Sequence, residues 1–105
     1  MITSSSNAQV KRVIQLNKKA RERKKQQIFV AEGRKMFQEA PKTWLEHVYV
    51  TENFENEHKN LLSGIDYEVV EDKVFAQMSD TQTPQGVLCT VKMPSYSLDQ
   101  VLGGR

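Results

Sequence analysis

Cysteine is nearly absent from this chain of 105 residues, and that scarcity excludes whole classes of chemistry. The one cysteine, Cys89, has no partner for an internal disulfide, and the two histidines, His47 and His58, stand apart from any cysteine, so no zinc-ligand spacing exists and no metal site is expected. Glycine is sparse too. The five glycines, at 33, 64, 86, 103 and 104, do not form the phosphate-cradling loop of a dinucleotide or NTPase site, so no cofactor is expected in this chain. There is no apolar run long enough to cross a bilayer, and the start, Met1 to Ser6, has neither the basic residues nor the apolar stretch of a signal peptide. The default expectation is a cytoplasmic protein without membrane contact. At 38% hydrophobic content the length suits one small domain, with no room for a second.

A catalytic constellation is also lacking. His47 starts an expected strand and His58 lies on a helix face, where packing or surface roles outweigh catalytic ones. Cys89 shares a strand face with Val87 and Val91, which reads as a buried structural thiol, and Glu71-Asp72 reads as a surface or capping pair. No catalytic residue is assigned.

What the chain does have is a polarised charge distribution. Residues 1 to 40 hold ten cations (Lys11, Arg12, Lys18, Lys19, Arg21, Arg23, Lys24, Lys25, Arg34 and Lys35) against Glu22, Glu32 and Glu39, a net +7. The remainder carries five cations against ten acids, a net −5. A basic lobe on an otherwise acidic domain is the footprint of a polyanion-binding surface.

The periodicities give the architecture. Ser6-Asn7-Ala8-Gln9 matches a capping box, and Val10, Val13 and Ile14 then form one apolar stripe of a helix ending near Leu16-Asn17. Residues 18 to 27 have good helix formers and almost no apolar face, which predicts a short solvated helix or a mobile basic segment. Ile28 to Ala31 reads as a buried strand closed by Glu32-Gly33, followed by a helix with Met36, Phe37 and Ala40 inward and Pro41 at its end. Val48 to Thr51 is a second strand, and Asn53 is placed to cap a helix bearing Phe54, His58, Leu61 and Leu62 that stops at Gly64. Tyr67 to Val70 is a third strand, and Asp72 is placed to cap a helix with Val74, Phe75 and Met78. After the turn at Thr83-Pro84-Gln85-Gly86 comes the strand Val87 to Met93. Helices alternating with four short strands predict a three-layer α/β/α domain over residues 1 to 94, with a mostly parallel or mixed sheet covered on both faces. The glycine-ended tail, Ser95 to Arg105, reads as a linker.

Lys18, Lys19, Arg21, Arg23 and Lys24, joined by Lys11 and Arg12 from the first helix and by Arg34 and Lys35 from the strand-to-helix corner, are the candidate phosphate contacts. Thr83, Gln85 and Gly86, in the loop before the last strand, are the candidate contacts to splayed bases. Phe29, Phe37, Phe54 and Phe75 all fall on expected core positions, so no aromatic stacking platform is evident.

Ile2-Thr3-Ser4 with Asn7 to Lys11, the segment Phe29-Val30-Ala31-Glu32-Gly33-Arg34, and the loop Ser79 to Val87 with its Thr83-Pro84-Gln85-Gly86 resemble the N-terminal substrate-binding domain of the SpoU (TrmH-like, SPOUT superfamily) RNA 2'-O-ribose methyltransferases. The resemblance runs over nearly the whole chain. It implies a fold similar to the kink-turn-binding ribosomal proteins, a mixed four-stranded sheet between helices, with Glu32 to Lys35 and Thr81 to Gly86 at the RNA-facing edge. Kink-turn binders carry an asparagine-containing motif at that corner, where this chain has Glu32-Gly33-Arg34-Lys35. The resemblance further implies structured RNA as partner, ribosomal in preference to transfer RNA. It also implies a C-terminal methyltransferase domain beyond residue 105 that binds S-adenosylmethionine and dimerises, the isolated domain being monomeric. Two other readings stand beside it: a free-standing RNA-binding protein of the ribosomal type, and a domain that docks its basic face on an acidic protein.

Overall fold

The computed structural model describes residues 1–82 and 84–92. The expected Met93 end of the last strand, the linker over 95 to 105 and the loop residue Thr83 lie outside the described residues.

The sheet is mixed, as the resemblance implies, and its order is β1-β4-β2-β3 (Ile28–Glu32, Val87–Lys92, Leu45–Val50 and Glu68–Val69). β4 runs antiparallel to both β1 and β2, and β3 runs parallel to β2. As a central strand β4 is covered on both sides, which is why its alternating residues are all buried from Val87 through Val91. On one face Leu88 and Tyr49 pack with Val10 and Val13 of α1 (Ala8–Lys18) and with Val74, Phe75 and Met78 of α5 (Asp72–Met78). On the other, Val87, Cys89 and Val91 pack with Phe37 of α3 (Arg34–Glu39), Phe54 of α4 (Glu52–Glu57) and Leu62. The two separate apolar clusters are the physical content of the three-layer arrangement. Beyond β3, Ile2 forms a parallel bridge with Val70, donating to Val69 O at 2.8 Å and accepting from Glu71 N at 2.9 Å, so that the N-terminal segment covers this sheet edge. Among the described residues no helix is long and apolar enough to cross a membrane.

Several local expectations are corrected. Asn7, and not Ser6, caps α1, its Oδ1 accepting from Gln9 N at 2.8 Å, while the Gln9 side chain accepts from the buried Tyr49 hydroxyl instead of closing a capping box. Thr51, and not Asn53, caps α4, its hydroxyl oxygen accepting from Phe54 N. That helix stops at His58, whose ring stacks on Phe54 at 4.6 Å, and a 3-10 turn over Lys59–Leu62 replaces its continuation. Asp72 is the first residue of α5 and not its cap, which falls at Glu71. Met36, expected to face inward, is 46% exposed, and Phe29 is half-buried because its strand lies at the open edge of the sheet. The second strand starts earlier than expected, at Leu45. A bulge between Leu45 and His47 turns Glu46 toward α1, and the buried Thr90 hydroxyl fills the gap by accepting from His47 N and donating to Glu46.

Gly86 sits at φ 93°, and a Cβ there would stand 2.7 Å from the Thr51 hydroxyl oxygen and 3.2 Å from Phe54 Cβ. Gly86→Ala therefore strains the backbone and displaces the cap of α4 together. A loss of roughly 2–4 kcal/mol is expected in urea unfolding, with the m-value unchanged.

Candidate nucleic-acid interface

The basic segment after α1 is helical: α2 spans Ala20–Gln26 and turns back along α1 as a hairpin. It buries none of its residues, so polar braces hold it in place of apolar packing. Arg23 extends its guanidinium over the end of α1 and donates to the carbonyls of Leu16 and Asn17, which satisfies two acceptors that the helix leaves open. Arg12 donates from Nε to Gln26 at 3.0 Å and clasps the Glu46 carboxylate with both terminal nitrogens, at 2.7 and 3.2 Å. Burial opposes ionisation of Glu46 more than any other single influence. Hydrogen bonds from Arg12 and Thr90 and the Arg12 charge outweigh it jointly, leaving the carboxyl below its usual range.

The strand-to-helix corner is built by side chains from distant parts of the chain. Gly33 precedes α3 at φ 99° and offers no capping side chain. Gln85 supplies the cap in its place, its Oε1 accepting from Arg34 N at 2.8 Å, while Gly33 N donates to Val87 O at 2.9 Å. Glu32 accepts from the Ser79 hydroxyl and, at 3.0 Å, from Asp80 N, fastening the end of α5 to the same corner. Asn17, at the end of α1, donates to Met78 O at 2.7 Å. The last turn of α5 thus ties the α1–α2 turn, with Lys18, Lys19 and the start of α2, to the β1–α3 corner with Arg34 and Lys35, while Lys24 and Lys25 lie at the other end of α2, next to the start of β1.

The sequence-predicted residues divide accordingly. Lys11, Lys18, Lys19, Arg21, Lys24, Arg34 and Lys35 are exposed. Arg12 and Arg23 are half-buried and committed to the braces just described. Gln85 is exposed, but its amide oxygen holds Arg34 N, and Gly86 is buried against Thr51 and Phe54, so its place is in the packing of the loop. Pro84, Gln85 and Gly86 line an open cavity of about 380 Å³ that also touches Glu57 and Asp72. The acidic residues of α4, β3 and α5 (Glu52, Glu55, Glu57, Asp66, Glu68, Glu71 and Asp72) thus gather toward the β3 side of the sheet, away from the basic β1 side. One exposed aromatic escaped the sequence reading. Trp44 is 38% exposed, and it was invisible because a lone tryptophan between Pro41 and the strand belongs to no apolar periodicity.

The sequence profile of the MRM3-like substrate binding domain matches residues 7–89. The chain belongs to this family. The match spans both the capped corner and the basic hairpin, and the resemblance read from the Phe29 to Arg34 and Pro84 to Gly86 segments is borne out. No curated protein sequence matches the chain significantly. Among solved structures, an RNA 2'-O ribose methyltransferase superposes with a TM-score of 0.73 at 24% identity over 90% of this chain and 38% of its own. The SpoU methyltransferase AviRb from Streptomyces viridochromogenes, solved in complex with AdoMet, gives 0.70 at 19% identity over 90% and 38%. An rRNA methyltransferase from Sinorhizobium meliloti gives 0.66 at 24% identity over 89% and 36%. The MRM3-like domain described here shares their fold and spans less than two fifths of each of these proteins.

The Arg12–Glu46 clasp makes stability depend on acid. Because the folded pKa of Glu46 lies below its ordinary 4.5, its contribution is complete above that value and is lost as pH falls through the folded pKa. Solvent exposure keeps this contribution under about 1 kcal/mol. Urea unfolding of wild type and Glu46→Gln between about pH 6 and about pH 3 should converge at the acid end, and a constant gap would remove the clasp as its source.

Proposed function

We propose that this MRM3-like domain holds structured RNA, ribosomal in preference to transfer RNA, for a SpoU-type 2'-O-ribose methyltransferase whose catalytic domain belongs to the rest of the parent protein. One observation carries the reading. Five exposed cations, Lys18, Lys19, Arg21, Arg34 and Lys35, come from two segments tied together through the last turn of α5, by Asn17 on one side and Glu32 on the other. Lysines and arginines held at fixed positions bind phosphates without reading sequence, and they set the register of the RNA on the domain. The Sinorhizobium meliloti protein is described as an rRNA methyltransferase, which supports the preference for ribosomal RNA.

The division of labour follows from the chemistry. Methyl transfer to a ribose hydroxyl needs a methyl donor and a group that accepts the hydroxyl proton near neutral pH. Burial pushes the Cys89 thiol up to about 12, and burial with the nearby Glu46 and Glu68 charges pushes the Tyr49 phenol up to about 12, against the opposing Arg12 charge. Both groups move away from the range where a base operates. Among the described residues every buried side-chain nitrogen and oxygen has a hydrogen-bond partner. The donor and dimerisation belong, on this reading, to the catalytic domain of the parent; that AviRb was solved in complex with AdoMet supports a donor of that kind. On this reading the domain is a cytoplasmic, monomeric recognition module within a homodimeric parent.

Alanine at both Arg34 and Lys35 should weaken binding of a ribosomal RNA fragment roughly tenfold and lower the slope of log affinity against log salt by about 2, with the melting temperature unchanged. Affinity and slope equal to wild type would take this corner out of the interface and leave docking to an acidic protein as the better account of the basic surface.

A further inference from the structure

The end of the sheet opposite the capped corner carries a second set of cations, and the exposed tryptophan lies at the same end. Register fixes the arrangement. Ile28 of β1 pairs with Lys92 of β4, and Leu45 of β2 pairs with Val91, so the start of β1, the end of β4 and the start of β2 lie side by side. Gln27, at φ 56°, turns the chain from the last turn of α2 directly into β1, which brings Lys24 and Lys25 to this end. Lys42 and Trp44 lie in the 3-10 turn that enters β2. Adjacent strands stand about 4.8 Å apart, so in the sheet order Lys92 falls between the start of β1, which follows the α2 lysines, and the start of β2, which follows the Trp44 turn.

The turn is rigid. Pro41 fixes its entry, and Trp44 N donates to Pro41 O at 2.9 Å, so the indole is presented on a preset backbone. Lys24, Lys25, Lys42 and Lys92 are all exposed. The acids of this end are Glu46, neutralised by Arg12, together with Glu39 and with Asp66, which shares a cleft with Lys42. With Glu22, which accepts from Gln26 in the last turn of α2, added to Glu39 and Asp66, the four lysines outnumber these acids by one. An indole with open surface among lysines offers a π face for a base and point charges for its flanking phosphates, the combination that binds single-stranded nucleic acid without sequence preference.

We propose that Trp44 is a stacking platform for an unpaired nucleobase, with the flanking phosphates held by Lys42, Lys92 and the last turn of α2. The inference rests on the reading of this domain as an RNA-binding module. It adds a site at the far end of β1, roughly 15 Å from the Arg34–Lys35 corner, so that duplex or folded RNA lies on one end and a splayed nucleotide on the other.

Trp44 is the one tryptophan of the chain, so its emission reports on this site alone. A short single-stranded oligoribonucleotide should quench Trp44 emission in the full chain, reversibly with salt, while a blunt A-form duplex should leave it unchanged. Trp44→Ala should lose on the order of tenfold in affinity for the single strand, and Trp44→Phe, which keeps a stacking ring in the same turn, should retain most of it. The Arg34 and Lys35 double alanine variant should retain the quenching. Single-strand binding seen by anisotropy with unchanged Trp44 emission, and with Trp44→Phe and Trp44→Ala both folded and binding as wild type, overturns the stacking site while leaving the RNA-binding reading intact. Absence of binding to either RNA overturns both.

Discussion

The hydrogen bond from Arg34 N to the Gln85 side chain joins two loops 51 residues apart, and the arrangement of the interface depends on it. A glycine before α3 leaves that helix without a cap of its own, so its first turn is ordered only when the loop before β4 is in place. Gly86, next in the chain, cannot carry a side chain because Thr51 and Phe54 close over it. Glu32 completes the joint from the other side through Ser79 and Asp80. The two segments that carry the family resemblance are thus each other's packing partners. Their residues position the candidate interface, where the neighbouring cations Arg34 and Lys35 are exposed.

Within the basic lobe, structural and solvent-facing cations are divided by side-chain chemistry. The two braces, Arg12 and Arg23, are arginines, whose planar fork satisfies a carboxylate or two carbonyls at once. Most of the exposed set are lysines, which keep their charge in water on flexible stems. With acids gathered toward the β3 side, the domain has an asymmetry of charge from one sheet edge to the other, which orients such a domain in the field of a polyanion before contact.

Much of the fold is legible in the sequence because it rests on periodicity. The stripe of Val10 and Val13, the alternation from Val87 to Val91 and the stop at Pro41 place helices and strands near their observed positions. What escapes depends on partners far away in the chain. Asn7 displaces Ser6 as a cap because Gln9 is drawn to Tyr49, 40 residues on, and Thr51 displaces Asn53 where the Gly86 loop closes over it. Of the candidate interface, the basic segments are visible as composition, while the commitment of Arg12, Arg23, Gln85 and Gly86 to structure is not, since no local pattern marks a brace. Trp44 is hidden for the opposite reason: it lacks the periodic neighbours that would have drawn attention to it.

The absence of any buried residue in α2 has a consequence for affinity. Seven residues held by polar braces and without an apolar face form a cooperative unit whose opening costs far less than unfolding of the sheet. On the proposed reading, part of the free energy gained when its cations meet phosphates is then spent on ordering the helix. Helix propensity at positions such as Lys24 and Lys25 thereby becomes a control on binding strength that alters no contact with the ligand.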